Sequence, residues 1–360
     1  MNEPALNASE LLNGTQNRLV IQATLQPVAG KTRFQPAGFP EIGHVIYKAP
    51  DGKKVCIVDS AASMANHLET VCVNPFDLSM VSELEGLPYL QCVTGDNKDE
   101  VVVTSLSEGH RLASDYFLKG KRLKGDTLDT KLFGDFLRDD EFQLRNLDKK
   151  THPLPSQWWD VFRTIFRYDP NSLVHGILFP ALGIKLPRLL TATLDASGAD
   201  RVATSGVKFD KLGKTTSGQP IFAKDEETAT EIRATFVIDL SLIRSFGHGN
   251  DHGLNTAQKQ FLLGFALWKI KKLLEKSFRF RSECDLELIG LKIDDETKDI
   301  PALAINIGDL ISQSGFQDPR ITKIYWTVDD LFKAAKDEPD GGNEDDSPAS
   351  DENEQSDDND

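Results

Sequence analysis

Basic residues stand beside aromatic or small residues in three separate segments of the sequence, a combination suited to binding a polyanion. Arginine and lysine side chains contact phosphates, and aromatic rings stack on bases. These cations are Lys31 and Arg33, Lys208, Lys211 and Lys214, and Arg279 and Arg281. The simpler alternative is a solvated strand face and an ordinary surface turn, and composition alone leaves both interpretations open.

The segment 246–254, Phe-Gly-His-Gly-Asn-Asp-His-Gly-Leu, contains the residue types of a metal site. His248, Asp251 and His252 are the candidate ligands. Three glycines and an asparagine indicate a loop, so the four-residue spacing of the histidines does not place them on one helical face. No further partner with ligand spacing accompanies them. We therefore expect a polar surface loop, with no metal and no cofactor.

Four other histidines, His44, His67, His110 and His175, are dispersed along the chain. A metal-independent ribonuclease needs a general acid and a general base, and histidine suits both roles near neutral pH. No pattern brings two of them together, so each is by default a polar contact or a satisfied core group. The sequence also lacks a dinucleotide fingerprint, a P-loop, an H-E-x-x-H and a G-x-S-x-G motif, and most enzyme classes therefore find no support.

The negative charge of the chain is concentrated at its C-terminal end. The 41 basic and 56 acidic residues give a net charge of −15, but 12 of the acidic residues and no basic ones lie in 337–360. The remainder of the chain is close to neutral, so the overall acidity does not exclude a nucleic-acid partner. The composition of 337–360 predicts a disordered tail. It either competes with RNA for the basic surface or only improves solubility.

Composition and cysteine spacing indicate a soluble, ordinary globular protein. Hydrophobic residues make up 39% of the chain, and the apolar stretch 261–268 is too short for a membrane span. The N-terminus has no basic start or apolar core of a signal peptide, so we expect a cytoplasmic protein without a membrane partner. The four cysteines form no C-x-x-C pair, which excludes a zinc ribbon and a redox dithiol and favours buried, reduced thiols.

The predicted elements alternate between strands and helices, with two long excursions. Predicted strands are 18–25, 189–194, 233–240 and 278–289, with a hairpin at 43–58, and predicted helices are 59–69 and 256–276. The second helix is expected to be amphipathic, with Lys259, Lys269, Lys272 and Lys276 mostly on its solvent side. Residues of about 75–185 are interpreted as an insertion, and 206–224 as a cationic hairpin. This order favours an α+β, ferredoxin-like fold in one domain, residues 1–336.

Two motifs together resemble a known family. They are Thr-Arg-Phe-Gln-Pro-Ala-Gly-Phe-Pro at 32–40 and Asp-Ser-Ala-Ala-Ser-Met-Ala-Asn-His-Leu-Glu at 59–69. The sequence is similar to the type I-U, also called I-G, CRISPR-associated RAMP proteins of the Cas-seven group, the backbone subunits of that Cascade complex. Further motifs agree in order at 173–176, 186–190, 205–210 and 278–285. The resemblance covers about residues 18–295, although Ala62 and His67 stand where the family has glutamine and arginine.

The resemblance implies a hand-like fold and a function in RNA-guided defence. The expected fold has a ferredoxin-like (RRM-type) palm, a finger insertion at about 75–185 and a thumb hairpin at about 206–224. The expected function is a non-catalytic subunit that binds CRISPR RNA, oligomerises along it and presents it for pairing with target DNA. Its implied partners are CRISPR RNA, target DNA through the guide, other copies of the chain and other Cascade subunits.

The resemblance also directs attention to particular RNA-binding residues. The candidates are Lys31, Arg33 and Gln35, then Ser60, Ser63, Asn66 and His67, then Lys208, Lys211 and Lys214 on the thumb, and Arg279 and Arg281 on the palm. The second group lies near a predicted helix start, where backbone N–H groups and the helix dipole favour phosphate. The alternative function is a RAMP-type ribonuclease that processes CRISPR transcripts, with His67 or His110 as acid and base.

Overall fold

The computed structural model describes residues 5–38, 43–144, 153–202 and 226–337, which form a mixed α and β structure. The predicted thumb at 206–224, including Lys208, Lys211 and Lys214, and the predicted acidic tail lie outside these residues. The helices of the described residues are α1 (Ala8–Asn13), α2 (Ala61–Thr70), α3 (Asp115–Leu118), α4 (Phe133–Phe136), α5 (Trp158–Tyr168), α6 (Pro170–His175), α7 (Leu240–Ser245), α8 (Thr256–Leu274), α9 (Ile307–Gln313) and α10 (Val328–Asp337).

The strands of the same residues fall into one large sheet and several smaller ones. They are β1 (Arg18–Pro27), β2 (Ile46–Lys48), β3 (Lys54–Asp59), β4 (Tyr89–Thr94), β5 (Glu100–Thr104), β6 (Lys121–Lys124), β7 (Thr127–Leu128), β8 (Ile177–Phe179), β9 (Ile184–Leu186), β10 (Leu190–Ser197), β11 (Asp200–Val202), β12 (Glu226–Thr228), β13 (Glu231–Asp239), β14 (Gly247–Gly249), β15 (His252–Gly253), β16 (Phe278–Arg281), β17 (Cys284–Ile293), β18 (Glu296–Lys298) and β19 (Ile321–Tyr325).

The large sheet contains eight strands in the order β16-β17-β1-β13-β10-β3-β2, with β18 paired to β17. All of these pairs are antiparallel. Buried and less buried residues alternate along β1, β10 and β13, as the two-residue period of a strand requires when one face is covered. Helices α2 and α8 contact each other, and they contact β10 and β13 respectively. The other face carries polar side chains such as Thr191 and Thr193.

Helices α2 and α8 begin where local sequence predicts. Ser60 caps α2, its side chain accepting a hydrogen bond from the Ser63 amide, and Asn255 caps α8 in a capping box with Gln258. The prediction that Lys269 lies on the solvent side of α8 is wrong, because this lysine is fully buried. A helix covered on most sides lacks a fully polar face, and Lys269 is stabilised there by buried polar partners.

A second, five-stranded sheet has the order β5-β4-β19-β6-β7. Its central strand β19 comes from the C-terminal part of the described chain and pairs in parallel with β4. Part of the segment predicted as an insertion therefore forms a sheet with a strand from outside that segment. One predicted strand, 278–289, is a hairpin in the structure, with β16 and β17 joined at Glu283, whose φ is 61°.

Two simpler expectations concern burial and membrane spans. All four cysteines are buried, as predicted, and burial raises the pKa of Cys56, Cys92 and Cys284 to about 12. No helix in the described parts of the chain combines the length and the apolar character needed to cross a bilayer.

Candidate nucleic-acid interface

The loop 31–38 is joined by backbone hydrogen bonds to three elements, which are strand β12, the β16–β17 turn and strand β3. Phe34 is fully buried and exchanges two backbone hydrogen bonds of 2.9 Å with Glu227, next to the β11–β12 pair. The Gln35 amide donates to the Glu283 carbonyl at 3.0 Å, and the Ala37 amide donates to the Val58 carbonyl at 2.9 Å. The buried ring and these bonds fix the loop that carries Lys31, Arg33 and Gln35.

The two cations of this loop remain accessible to solvent. Lys31 lies 3.7 Å from the Glu283 carboxylate, and Arg33 lies 3.3 Å from that of Glu226. The side chains of Lys31 and Arg33 are 50% and 58% exposed. Ion pairs at such exposure contribute at most about 1 kcal/mol, so a phosphate can replace either carboxylate at small cost.

Asp59, at the end of β3, connects the start of α2 with β16. The side chain is 1% exposed, and its carboxylate accepts hydrogen bonds from the Ser60 amide at 3.0 Å and the Ser63 hydroxyl at 3.0 Å. His67 Nε2 lies 3.1 Å from Oδ2, and Arg281 Nη2 donates to Oδ1 at 2.8 Å. A buried carboxylate requires such partners. The structure thus brings Ser60, Ser63, His67 and Arg281 together around one residue that the sequence analysis did not select.

The charge of Asp59 is stabilised by these contacts. Burial by itself raises the pKa of the Asp59 carboxyl, but the hydrogen bond from His67, the Arg281 guanidinium and the Ser63 hydroxyl lower it, and the net shift is downward. A carboxylate at the start of α2 also occupies the position where the helix dipole favours an anion. Ser60 and Ser63 are therefore engaged within the protein, whereas Asn66 is exposed on the same helix.

The two arginines of β16 have different environments, although the alternating sequence predicts one shared face. Arg279 is 68% exposed and donates to Asp285 at 2.8 Å. Arg281 is 24% exposed and also donates to the Val58 carbonyl at 2.7 Å. An irregularity in the β16–β17 register between these two residues separates their directions. Phe280 packs edge-on against the His67 ring at 4.9 Å.

The β11–β12 pair lies directly beside the loop 31–38, and it flanks the predicted thumb in sequence. Thr228 Oγ1 donates to the Thr32 carbonyl at 2.7 Å. Glu227, the residue before Thr228 on β12, is fully buried. His44 Nδ1 lies 3.5 Å from its carboxylate, and Arg201 Nε lies 3.6 Å from it. Strand β12, which follows the predicted thumb in sequence, therefore contacts the part of the loop that carries Lys31 and Arg33.

The remaining histidines have separate partners. His110 is exposed and contacts Glu108 of its own loop at 3.1 Å, whereas His67 contacts Asp59. His175 is buried. Its burial is the main reason that the pKa of its imidazole is well below the ordinary value, and the nearby positive charges of Lys269 and Arg111 lower that pKa further. His248 and His252 are exposed on the hairpin β14–β15, with ring centroids 6.0 and 6.3 Å from that of Trp159. Within the described ranges, no group of three or more His, Cys, Asp or Glu residues could hold a metal ion.

A buried polar cluster holds the other end of α2. Arg111 donates to both Glu69 oxygens at 2.7 Å, and Asn171 donates to the same carboxylate at 2.6 Å. Lys269 donates to Asn171 and lies 2.9 Å from His175 Nε2. The sequence gives little signal for this cluster, because its members are separated by up to 200 residues. A lysine in the middle of the apolar helix α8 is the one local hint.

The comparisons identify the class of protein. Residues 19–201, just over half of the chain, match the model of a CRISPR-associated family. The chain belongs to that family, which is described as CRISPR-associated protein GSU0053 (Cas_GSU0053). This match confirms the identification as a CRISPR-associated protein that the motifs supported. A search of curated protein sequences found no match.

Two solved structures show distant similarity. One is a chain of a structure titled "CRISPR RNA-guided surveillance complex, pre-nicking", with 11% identity, a TM-score of 0.37, and coverage of 77% of this chain and 75% of that one. The other is the crystal structure of Thermofilum pendens Csc2, with 10% identity, a TM-score of 0.29, and coverage of 93% of this chain and 80% of that one. Both TM-scores lie below 0.5, so neither defines the fold.

Proposed function

We propose that this protein is a non-catalytic backbone subunit of a type I-G Cascade complex in the cytoplasm. It binds CRISPR RNA, oligomerises along the guide with other copies and other Cascade subunits, and presents the guide for pairing with target DNA. Family membership supports a role in CRISPR defence. The observation that carries the RNA-binding part is the convergence of the loop 31–38, the start of α2 and the β16–β17 hairpin beside the β11–β12 pair.

The strand order of the large sheet supports a ferredoxin-like palm. Its four central strands have the spatial order β17-β1-β13-β10. In chain order these are the fourth, first, third and second strands. Helix α2 lies in the connection from β1 to β10, and α8 lies in the connection from β13 to β17. A βαββαβ unit has this arrangement. We assign residues 1–336 to this domain, with the finger at about 75–185 and the thumb at about 206–224.

The guide is held by its phosphates on accessible cations of this surface. Lys31, Arg33 and Arg279 contribute through exposed ion pairs that phosphate can displace, and Gln35 and Asn66 add polar contacts. Arg281 has most of its side chain directed inward, so it positions the hairpin against Asp59 and contributes its remaining exposed donor atoms. Such a surface reads backbone shape, and base pairing supplies sequence specificity.

The thumb lysines complete the surface in this proposal. Lys208, Lys211 and Lys214 belong to the segment that lies between β11 and β12 in the sequence. As further RNA-binding cations they would add to the release of counterions that makes RNA affinity depend on salt.

The test is a double charge reversal, Lys31→Glu with Arg33→Glu, in RNA-binding titrations over a salt series. Removing one cation that neutralises a phosphate flattens the slope of log affinity against log salt by roughly one unit, or slightly less for a single strand. The matched control is Lys119→Glu with Lys185→Glu, which changes the net charge equally at exposed positions elsewhere. A slope that changes equally in both variants would place the guide on another surface.

The ribonuclease alternative is favoured by one observation, the contact of the partly exposed His67 with the buried Asp59 carboxylate at 3.1 Å. A histidine oriented by a carboxylate can act as a general base. Incubation with repeat RNA in EDTA distinguishes the two functions. A single defined cut that His67→Ala abolishes would establish the enzyme, whereas intact RNA retained by both proteins is the result expected for a backbone subunit.

A further inference from the structure

The Glu226 carboxylate lies beside Arg33 on the candidate interface, and the two side chains differ in exposure. Arg33 Nη1 lies 3.3 Å from Glu226 Oε2. The Arg33 side chain is 58% exposed, whereas that of Glu226 is 17% exposed. The guanidinium can therefore turn toward a solute, while the carboxylate has little freedom to move away.

The backbone fixes the position of this carboxylate. Phe34, which follows Arg33, exchanges two backbone hydrogen bonds of 2.9 Å with Glu227, which follows Glu226 on β12. Phe34 and Glu227 are both fully buried. Strand β12 therefore keeps the Glu226 carboxylate beside the loop 31–38 even when Arg33 turns away.

The Glu226 carboxylate also has spare capacity to accept hydrogen bonds. Among the residues that the structure describes, none donates a hydrogen bond to either of its oxygens. Both oxygens reach solvent, unlike Oε2 of Glu227, which is buried without a partner. An ionised carboxylate offers about four acceptor positions and no donor, so it attracts a hydroxyl and repels a phosphate at close range.

We propose that Glu226 accepts a hydrogen bond from the ribose 2′-hydroxyl of a guide nucleotide whose phosphate pairs with Arg33. Every nucleotide of RNA carries this donor close to a phosphate, so a carboxylate beside a cation matches one nucleotide of any sequence. DNA offers the phosphate without the donor, and the carboxylate then faces the nucleic acid uncompensated. The inference rests on the proposed function and makes Glu226 a residue that selects RNA over DNA.

The test compares three short oligonucleotides of uridine that differ only at the 2′ position, namely RNA, DNA and 2′-O-methyl RNA. The 2′-O-methyl form keeps the 2′ oxygen but has no hydrogen to donate. Uracil has no amino group, and its contacts are the same in all three oligonucleotides, so a difference in affinity reports on the sugar. Binding of the full chain to each oligonucleotide is measured by fluorescence anisotropy.

Two substitutions of Glu226 separate the hydrogen bond from the charge. Glu226→Met and Glu226→Gln both remove the negative charge, but only glutamine keeps an acceptor oxygen. The matched control is Asp129→Asn on the second sheet, because Asp129 is 20% exposed and lies 2.8 Å from Lys124, which is 56% exposed. Circular dichroism checks that each variant folds.

The unaltered protein is expected to bind RNA at least about tenfold more tightly than DNA or 2′-O-methyl RNA, because a hydrogen bond to a charged acceptor contributes roughly that factor. Glu226→Gln is expected to keep a preference of about threefold, since its neutral acceptor is weaker, and Glu226→Met to keep none. Both variants bind DNA more tightly than the unaltered protein, because a charge that repels phosphate is gone. Asp129→Asn leaves the preference unchanged.

Equal binding of the three oligonucleotides by the unaltered protein would overturn the inference and leave the proposed RNA-binding surface intact. A preference for RNA that survives in Glu226→Met would also overturn it, because another residue would then discriminate. Weak binding of 2′-O-methyl RNA alone, with DNA bound as tightly as RNA, would indicate steric exclusion and refute the hydrogen bond. If the unaltered protein binds none of the three, the proposed function fails, and the role of Glu226 fails with it.

Discussion

The ion pair between Arg111 and Glu69 gives the sharpest quantitative prediction about the stability of the fold. The two side chains are 9% and 5% exposed, and two hydrogen bonds of 2.7 Å join the guanidinium to both carboxylate oxygens. Arg111→Met removes the cation, keeps most of the side-chain volume, and leaves the carboxylate buried with Asn171 as its remaining hydrogen-bond donor.

The expected cost follows from the removal of this partner. Breaking a buried ion pair from one side costs about 3–5 kcal/mol, because the remaining charge is uncompensated. The bond that Asn171 retains places Arg111→Met near the lower end, about 3 kcal/mol. Replacement of both partners, Glu69→Leu with Arg111→Met, removes the charges together and is expected to cost less than the single change.

Urea denaturation followed by circular dichroism measures both variants against the unaltered protein. A free energy of unfolding that falls by less than about 1 kcal/mol in Arg111→Met would refute the assignment of a buried, mutually dependent pair. A double variant less stable than Arg111→Met would refute the desolvation argument, because it would show that the carboxylate is stabilising without its arginine.

Three further predictions concern local features. Burial raises the pKa of Asp169 from its ordinary value of 3.8 to about 7. The neutral carboxyl therefore contributes stability that is fully present below pH 3.8, and this contribution, up to about 4 kcal/mol, is lost as the pH rises toward 7. Urea titrations at pH 5 and pH 8 are expected to show that Asp169→Asn loses less stability between these pH values than the unaltered protein. Gly253→Ala places a Cβ in collision with the Phe246 carbonyl oxygen at a φ of +78° and is expected to destabilise the protein by more than about 1 kcal/mol in thermal unfolding, whereas Gly109→Ala, with open space around it, is nearly neutral. Ser60→Ala removes the cap of α2 and is expected to cost about 1 kcal/mol in urea denaturation.

Local features of the fold can be predicted from the sequence, because short-range interactions determine them. The start of the helix predicted at 59–69 and the hairpin predicted at 43–58 depend on residues within a few positions of each other, and the structure confirms both. The sequence predicts one strand in place of the hairpin β16–β17, since Ser282 and Glu283 lack the glycine or asparagine that usually marks a turn with positive φ.

Long-range pairing cannot be predicted in the same way. Strand β19 pairs with β4 across more than 200 residues, and no local propensity selects that partner. Lys269 likewise has the sequence position of a solvent-facing residue, because its spacing on α8 fits a polar stripe. Its burial becomes favourable only when Asn171 and His175 of another helix supply hydrogen-bond partners, and their position is a property of the assembled fold.

The candidate interface shows where the sequence stops being informative. Its residues come from separate segments, and the structure joins two of these segments, the start of α2 and β16, through Asp59. The sequence predicts Asp59 only as the start of a helix. An aspartate at the end of an apolar strand becomes buried when the strand does, and a buried carboxylate must then acquire donors. The sequence therefore carries the requirement for a cation near Asp59, and Arg281, 222 residues away, meets it. Because any of the 41 basic residues could satisfy that requirement on sequence grounds, the choice of Arg281 depends on the β16–β17 hairpin and its irregular register.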